Sequence, residues 1–297
     1  MFWRFLYILI FFINRDTKVT RQEERMSNQN IGTFILALVG AAAWLPQVGS
    51  WVYSIFSKPT LRFVPEDTTE IGYTFYGPIL NQAFAISTSR KDALIERISL
   101  SIIHEKGEQH DFHWKFLDEK GAEITSATGE RAEFRKNQPA VALKISVLGL
   151  AEKKIGFQDL EYQGELISRV NDLQAQQDHL EKTKKETWKE ETIKTKEFSD
   201  VLDFIKNKFY WKEGKYKVIL WAYETSLKKP HVENFEFQLS KKHGETLQMN
   251  IKETQEHFKN IILYKGEGLD KRPQVFWRWV NPVFTRKKKI KEDNFIL

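Results

Sequence analysis

Along most of this chain apolar and polar residues alternate or recur at helical spacing, but one long segment carries no charge at all. Ile31 to Leu45 is continuous and apolar; Pro46, Gln47, Gly49 and Ser50 interrupt it, and Trp51 to Phe56 resumes it. No charged residue falls between Arg25 and Lys58. At about 1.5 Å per residue such a segment is roughly 40 Å long, against a hydrocarbon core of about 30 Å. The pattern therefore predicts a single transmembrane helix over 31–57, kinked near Ala42 by Pro46. Trp44, Trp51 and Tyr53 would sit at the membrane interface. A buried core helix and a cleaved signal peptide are the competing readings, and no Lys or Arg between Met26 and Ile31 supplies a basic leader.

Residues 1–30 precede this segment. Met1 to Ile13 is hydrophobic but too short to span, 14–30 is polar, and a second methionine stands at Met26. A start at Met26 would leave 1–25 untranslated. Lys58 and Arg62 then draw the following domain to the cytoplasmic side. A start at Met1 sets Arg15, Lys18, Arg21 and Arg25 on the other flank and reverses the orientation. The expectation is Met26 and the cytoplasmic side.

After Lys58 the pattern turns to strands. Leu61–Val64 is extended, and Ile71–Ser89 reads as two strands or one bent strand broken at Gly77-Pro78. Ile98, Leu100 and Ile102 alternate with serines, and Phe112, Trp114 and Phe116 alternate with polar residues, which predicts a β-hairpin. A loop of Lys106, Gly107 and Glu108 pairs Ile102 with Phe112, Leu100 with Trp114 and Ile98 with Phe116. Both apolar sets then share one face, and His104 faces His110. Glu130–Asn137 reads as a charged loop and Ala140–Leu148 as a further strand.

From 164 to 210 the period changes to helical. Leu166, Val170, Leu173, Gln177 and Leu180 recur at 3–4 spacing, as do Phe198, Val201, Leu202, Ile205 and Phe209. The middle, Glu181–Glu197, is polar apart from Trp188 and Ile193, and predicts a helical insertion with few core contacts. Strands return over 211–240. Glu245–Leu263 is again helical, within a C-terminal segment, 241–297, that ends in a basic tail.

The run Trp211-Lys-Glu-Gly-Lys-Tyr216, followed by alternating apolar residues to Tyr223, resembles the penultimate strand of immunoglobulin-like and fibronectin-III-like sandwiches. That resemblance implies a mainly β fold: an immunoglobulin-like antiparallel β-sandwich, with 58–163 its first part, 164–210 an insertion and 211–240 its last strands. It makes Gly214 and Tyr216 fold-defining, with Tyr216 closing a corner onto backbone; Trp114 joins them because its parity with Phe112 and Phe116 buries it. It implies nothing about catalysis.

Composition narrows the chemistry. The 297 residues carry a net charge of +6, but Lys and Glu are interspersed and no nucleic-acid motif occurs, so nucleic acid is not an expected partner. The absence of cysteine excludes disulfides, thiol catalysis and Cys-ligated metal. No nucleophile or phosphate-loop motif appears, and no cofactor is expected. His104, His110 and His113 cluster within ten residues, and a facing His104–His110 pair would be two ligands of a metal site. Arg286, Lys287, Lys288 and Lys289 follow Trp277, Trp279 and Phe284 and suit lipid headgroups. The expectation is a single-pass membrane protein that binds or scaffolds, with a protein partner at the insertion or a sheet edge. A metal-dependent hydrolase and an oligomeric pore subunit are the alternatives.

Overall fold

The computed structural model describes residues 37, 40, 42–53, 57–125, 131–184, 186–267 and 271–287. The chain divides into two units, Met1–Ser57 and Lys58–Leu297. In the first unit, residues 42–53 are helical and exposed. Among the described residues no helix is long and apolar enough to cross a membrane, which corrects the predicted transmembrane helix. Pro46, Gln47, Gly49 and Ser50 dilute the apolar character of its described part. Trp44, Trp51 and Tyr53 are exposed on that helix. Met26 and the start site lie outside the described residues.

The second unit begins with β1 (Thr60–Pro65), β2 (Glu70–Thr74), β3 (Gly77–Ser89), β4 (Ala93–His104) and β5 (Gln109–Thr125). β6 (Arg131–Pro139), β7 (Leu143–Ile145) and β8 (Leu150–Asp159) follow. Then come α1 (Leu160–Thr183), α2 (Trp188–Thr192) and α3 (Lys196–Asn207). β9 (Gly214–Glu224), β10 (His231–Leu239), α4 (Lys241–Leu263) and β11 (Phe284–Arg286) complete it.

Every named pairing is antiparallel, and the main path runs β1-β3-β8-β5-β4-β9-β10-β11. β4 pairs with β5 along one edge and with β9 along the other, so the strands form one continuous sheet. Its ends approach through bridges of Thr68 to Val283 and Ile71 to Val280, and through a 2.7 Å bond from the Phe284 amide to the Asp67 carbonyl. The result is a mixed α/β domain with a nearly closed, barrel-like sheet, which corrects the expected immunoglobulin-like sandwich.

The core is the inner face of this sheet together with the helical block. Phe63, Leu80, Leu100, Phe112 and Phe157 pack in one cluster with Leu166, Leu173, Trp188, Val201 and Ile205. Trp188 and Thr192, in the stretch read as polar and separable, are both buried. The block is therefore part of the fold rather than an insertion beside it. Asp159 caps α1 by accepting the Tyr162 amide at 3.0 Å, and Ser240 caps α4 in a capping box with His243.

The hairpin register differs from the predicted one. Leu100 pairs with Phe112 and Ile102 with His110. The turn is closed by the His104 amide on the Glu108 carbonyl, so the loop is Glu105, Lys106 and Gly107. The shift places the glycine last in the loop at φ 90°, the left-handed position that three-residue hairpins favour. The inward parity of Leu100, Ile102, Phe112 and Trp114 is unchanged. Glu130–Asn137, read as loop, largely forms β6, and β8 was not predicted.

Candidate functional site

The outer face of β2–β3–β8–β5 carries an uncommon row structure. Register aligns Gly72 with Ile79 and Ile79 with Gln158; one row on, Glu70 aligns with Asn81 and Asn81 with Gly156. The glycines in these rows leave hollows that rings fill. A methyl on Gly72 would lie 2.5 Å from the Trp279 ring, and one on Gly156 would lie 2.0 Å from Phe116.

Phe116 reaches this face because β5 is irregular. Against β8, Trp114 pairs with Phe157 and Phe116 with Gly156, so the register slips by one at Lys115. Trp114 remains inside, Leu117 becomes buried, and Phe116 turns out of the core. Such bulges re-aim side chains next to functional sites. This corrects the prediction that Phe116 shares a face with Phe112 and Trp114.

Trp277 and Trp279 come from an extended segment ahead of β11. Asn250 of α4 holds that segment by donating to the Arg278 carbonyl at 2.7 Å and accepting its amide at 2.8 Å. The Ile71–Val280 bridge fixes it one step later, and Trp277 Nε1 donates to Thr254 Oγ1 at 3.3 Å. Tyr76, exposed at the β2–β3 turn, lies against Phe75 with ring centroids 3.8 Å apart, and Phe75 touches His257 and Trp277. Burial, aided by Arg272, holds the His257 imidazole below the usual histidine range.

These rings bound a cleft of about 500 Å³. Its polar lining is Thr74 and the amides Asn81, Asn137 and Gln158, and among the described residues no charged side chain lines it. The clefts beside Glu66 and Lys154, beside Arg169 and Asp200, and beside Arg97 and Asp111 are all charged. Asn81 is 8% exposed and donates to Glu70 Oε2 at 3.3 Å, while its Oδ1 has no hydrogen-bond partner. Gln158 accepts a hydrogen bond from the Gln163 side-chain amide.

A second polar group lies inside. Asp159 accepts from the Tyr210 hydroxyl at 3.2 Å and stands 3.7 Å from His110 Nδ1, whose ring stacks on Tyr210 at 3.5 Å. Nearby, the Tyr73 hydroxyl donates to the Ile205 carbonyl and pairs with the Tyr162 hydroxyl at 2.8 Å. Burial pushes Tyr73, Tyr162 and Tyr210 well above the ordinary phenol range. Burial holds His110 down, with Asp159 pulling the other way. These groups keep neutral phenols and a capping carboxylate satisfied where the helical block meets the sheet.

The predicted histidine pair does not form. His104 is buried, its Nε2 donates to the Glu213 carbonyl at 3.1 Å, and its ring packs on Tyr216; His110 sits opposite Ile102. Among the described residues no group of three His, Cys, Asp or Glu is placed to hold a metal ion. The hydrolase reading thus loses the donor pair it rested on.

Trp114 is buried, and Tyr216 donates to the Lys212 carbonyl at 3.0 Å and accepts its amide at 2.8 Å, with burial raising its phenol to about 12. Gly214 has φ 141° and no room for a methyl beside His104 and Glu105. Of the basic tail, Arg286 is held by Glu233 through several short bonds and Lys287 pairs with Glu236 at 3.3 Å; Lys288 and Lys289 lie outside the described residues. Sequence reasoning missed the cleft. Its visible signal is the aromatic cluster at Trp277 and Trp279, which with the basic run after it also suits lipid headgroups.

The chain matches no family model and no curated protein. Among solved structures it has a weak likeness to a family 123 glycoside hydrolase from Clostridium perfringens: 12% identity, TM-score 0.29, covering 62% of this chain and 28% of that one. A likeness of that size assigns neither fold nor activity.

Proposed function

We propose that this protein works by binding, and that its outer-face aromatic cleft receives an uncharged ligand. The observation that carries the reading is a lining, among the described residues, of rings and amides without charge, in a chain where 29% of residues are charged. A volume of about 500 Å³ falls within the roughly 300–1,000 Å³ of small-molecule sites. Phe116, an apolar side chain that strand alternation would bury, is instead turned into this cleft. Amides both donate and accept, which suits a neutral polar partner better than an ion.

The test is a screen of small neutral, anionic and cationic fragments, followed by the indole N–H resonances of Trp277 and Trp279. Neutral fragments should shift both resonances. Equal shifts from charged fragments, or none from neutral ones, would refute the reading.

A further inference from the structure

The cleft combines features that together define a narrower ligand class. Trp279 is 40% exposed and Tyr76 is 49% exposed, so both offer ring surface to solvent across the cleft. Phe116 lies over Gly156 and Trp279 over Gly72, each seated in a hollow where no side chain competes. Each ring is therefore backed by sheet rather than hanging free in solvent. Asn81, Asn137 and Gln158 line the same cleft. Flat apolar faces flanking planar amides complement a molecule with C–H faces and a rim of hydroxyls. Among the described residues no Lys, Arg, Asp or Glu lines the site, so its described lining offers no charge to pair with an anion or a cation. A purely apolar ligand would leave the amides unsatisfied.

We infer that the ligand is a neutral carbohydrate, a short oligosaccharide stacked on Trp279 and Phe116, with its hydroxyls read by Asn137 and Gln158. This rests on the binding reading above and deepens it. Sugar rings present axial C–H groups on one face, and these pack on aromatic faces. The edge-on hydroxyls each donate and accept, as amides do.

The experiment is calorimetric titration of the full chain with neutral oligosaccharides of glucose, xylose, mannose and galactose, alongside a neutral proline-rich peptide and a sulfated oligosaccharide. At least one neutral oligosaccharide should bind saturably. Trp279→Ala should weaken it at least about 10-fold, equivalent to about 1.4 kcal/mol, and Trp279→Phe should restore most of that. Because Trp279 also covers Gly72, Tyr76→Ala serves as the second variant, with thermal melting confirming that both variants fold. Binding of the peptide but no sugar overturns the carbohydrate assignment and leaves the binding reading standing. So does a shift of the Trp277 and Trp279 resonances by small neutral fragments when no oligosaccharide binds. Sugar binding indifferent to both variants, or a preference for the sulfated chain, overturns it too. Silence from fragments and oligosaccharides alike removes both.

Discussion

Single residues in this protein are legible mainly where backbone geometry and ring contact coincide. Gly77 and Gly107 both have left-handed φ, at 84° and 90°, yet a methyl on Gly77 would strike the Tyr162 ring while one on Gly107 would meet nothing. Gly107→Ala should therefore cost only backbone strain, about 1–2 kcal/mol. Gly77→Ala should cost distinctly more, and urea unfolding of the two isolates the ring overlap. The histidines give a pH prediction. Burial holds His110, His113 and His257 below their ordinary range, so acid protonates them in the unfolded chain first. Stability is then full above about pH 6.5 and declines as pH falls toward the folded-state values. His110→Gln should flatten part of that slope between urea midpoints at pH 7 and pH 5; an unchanged slope would show that Asp159 and Glu108 compensate its burial. The facing-histidine account fails for a plain reason. Parity was readable from alternation, but which residue closes the turn depended on Gly107 preferring the last loop position.

At the scale of elements, the pattern recovered β1, β9 and β10, which alternate between buried and more exposed positions, and the β2–β3 pair and β4, which are rich in apolar and β-branched residues and buried on both faces over part of their length. It missed β6, whose charges suit a strand bonded only to β5, at the sheet's margin. It missed β8, whose first half is largely polar and whose buried residues come late, although it lies between β3 and β5. The bulge at Lys115 has no local mark at all, and with it went Phe116 and the cleft. The helical block shows the opposite case, since its polar stretch reads as separable while buried Trp188 and Thr192 anchor it. Trp188→Ala should destabilise by about 3–5 kcal/mol, the range for truncating a buried aromatic. Replacing residues 181–197 with a flexible linker should collapse the domain rather than spare it. A linker variant that melts like the parent would refute this.

For the whole molecule, the sandwich resemblance failed because its residues report a local corner and not a pairing partner. Tyr216 does bond the backbone four residues upstream, but β9 then lies beside β4 and extends one sheet around the core. Closure depends on the segment carrying Trp277 and Trp279. Asn250→Leu would strip the Arg278 amide and carbonyl of their partners, each worth about 1–3 kcal/mol if left unpaired. It should lower the melting temperature and weaken cleft ligands together. A variant that melts earlier but binds with parental affinity would show that the segment holds the fold without shaping the cleft.

The bridges from Thr68 and Ile71 to Val283 and Val280 join segments separated by most of the domain's length. Contacts of such sequence separation carry the largest loop-closure entropy and tend to form late. The cleft shares its wall with that closure, so a bound ligand acts as a clasp fastened after the garment is on. It should leave the refolding rate nearly untouched and slow unfolding, the kinetic mark of interactions absent from the folding transition state. Stopped-flow refolding and unfolding with and without saturating ligand would separate the two rates, and acceleration of refolding would place the closure early.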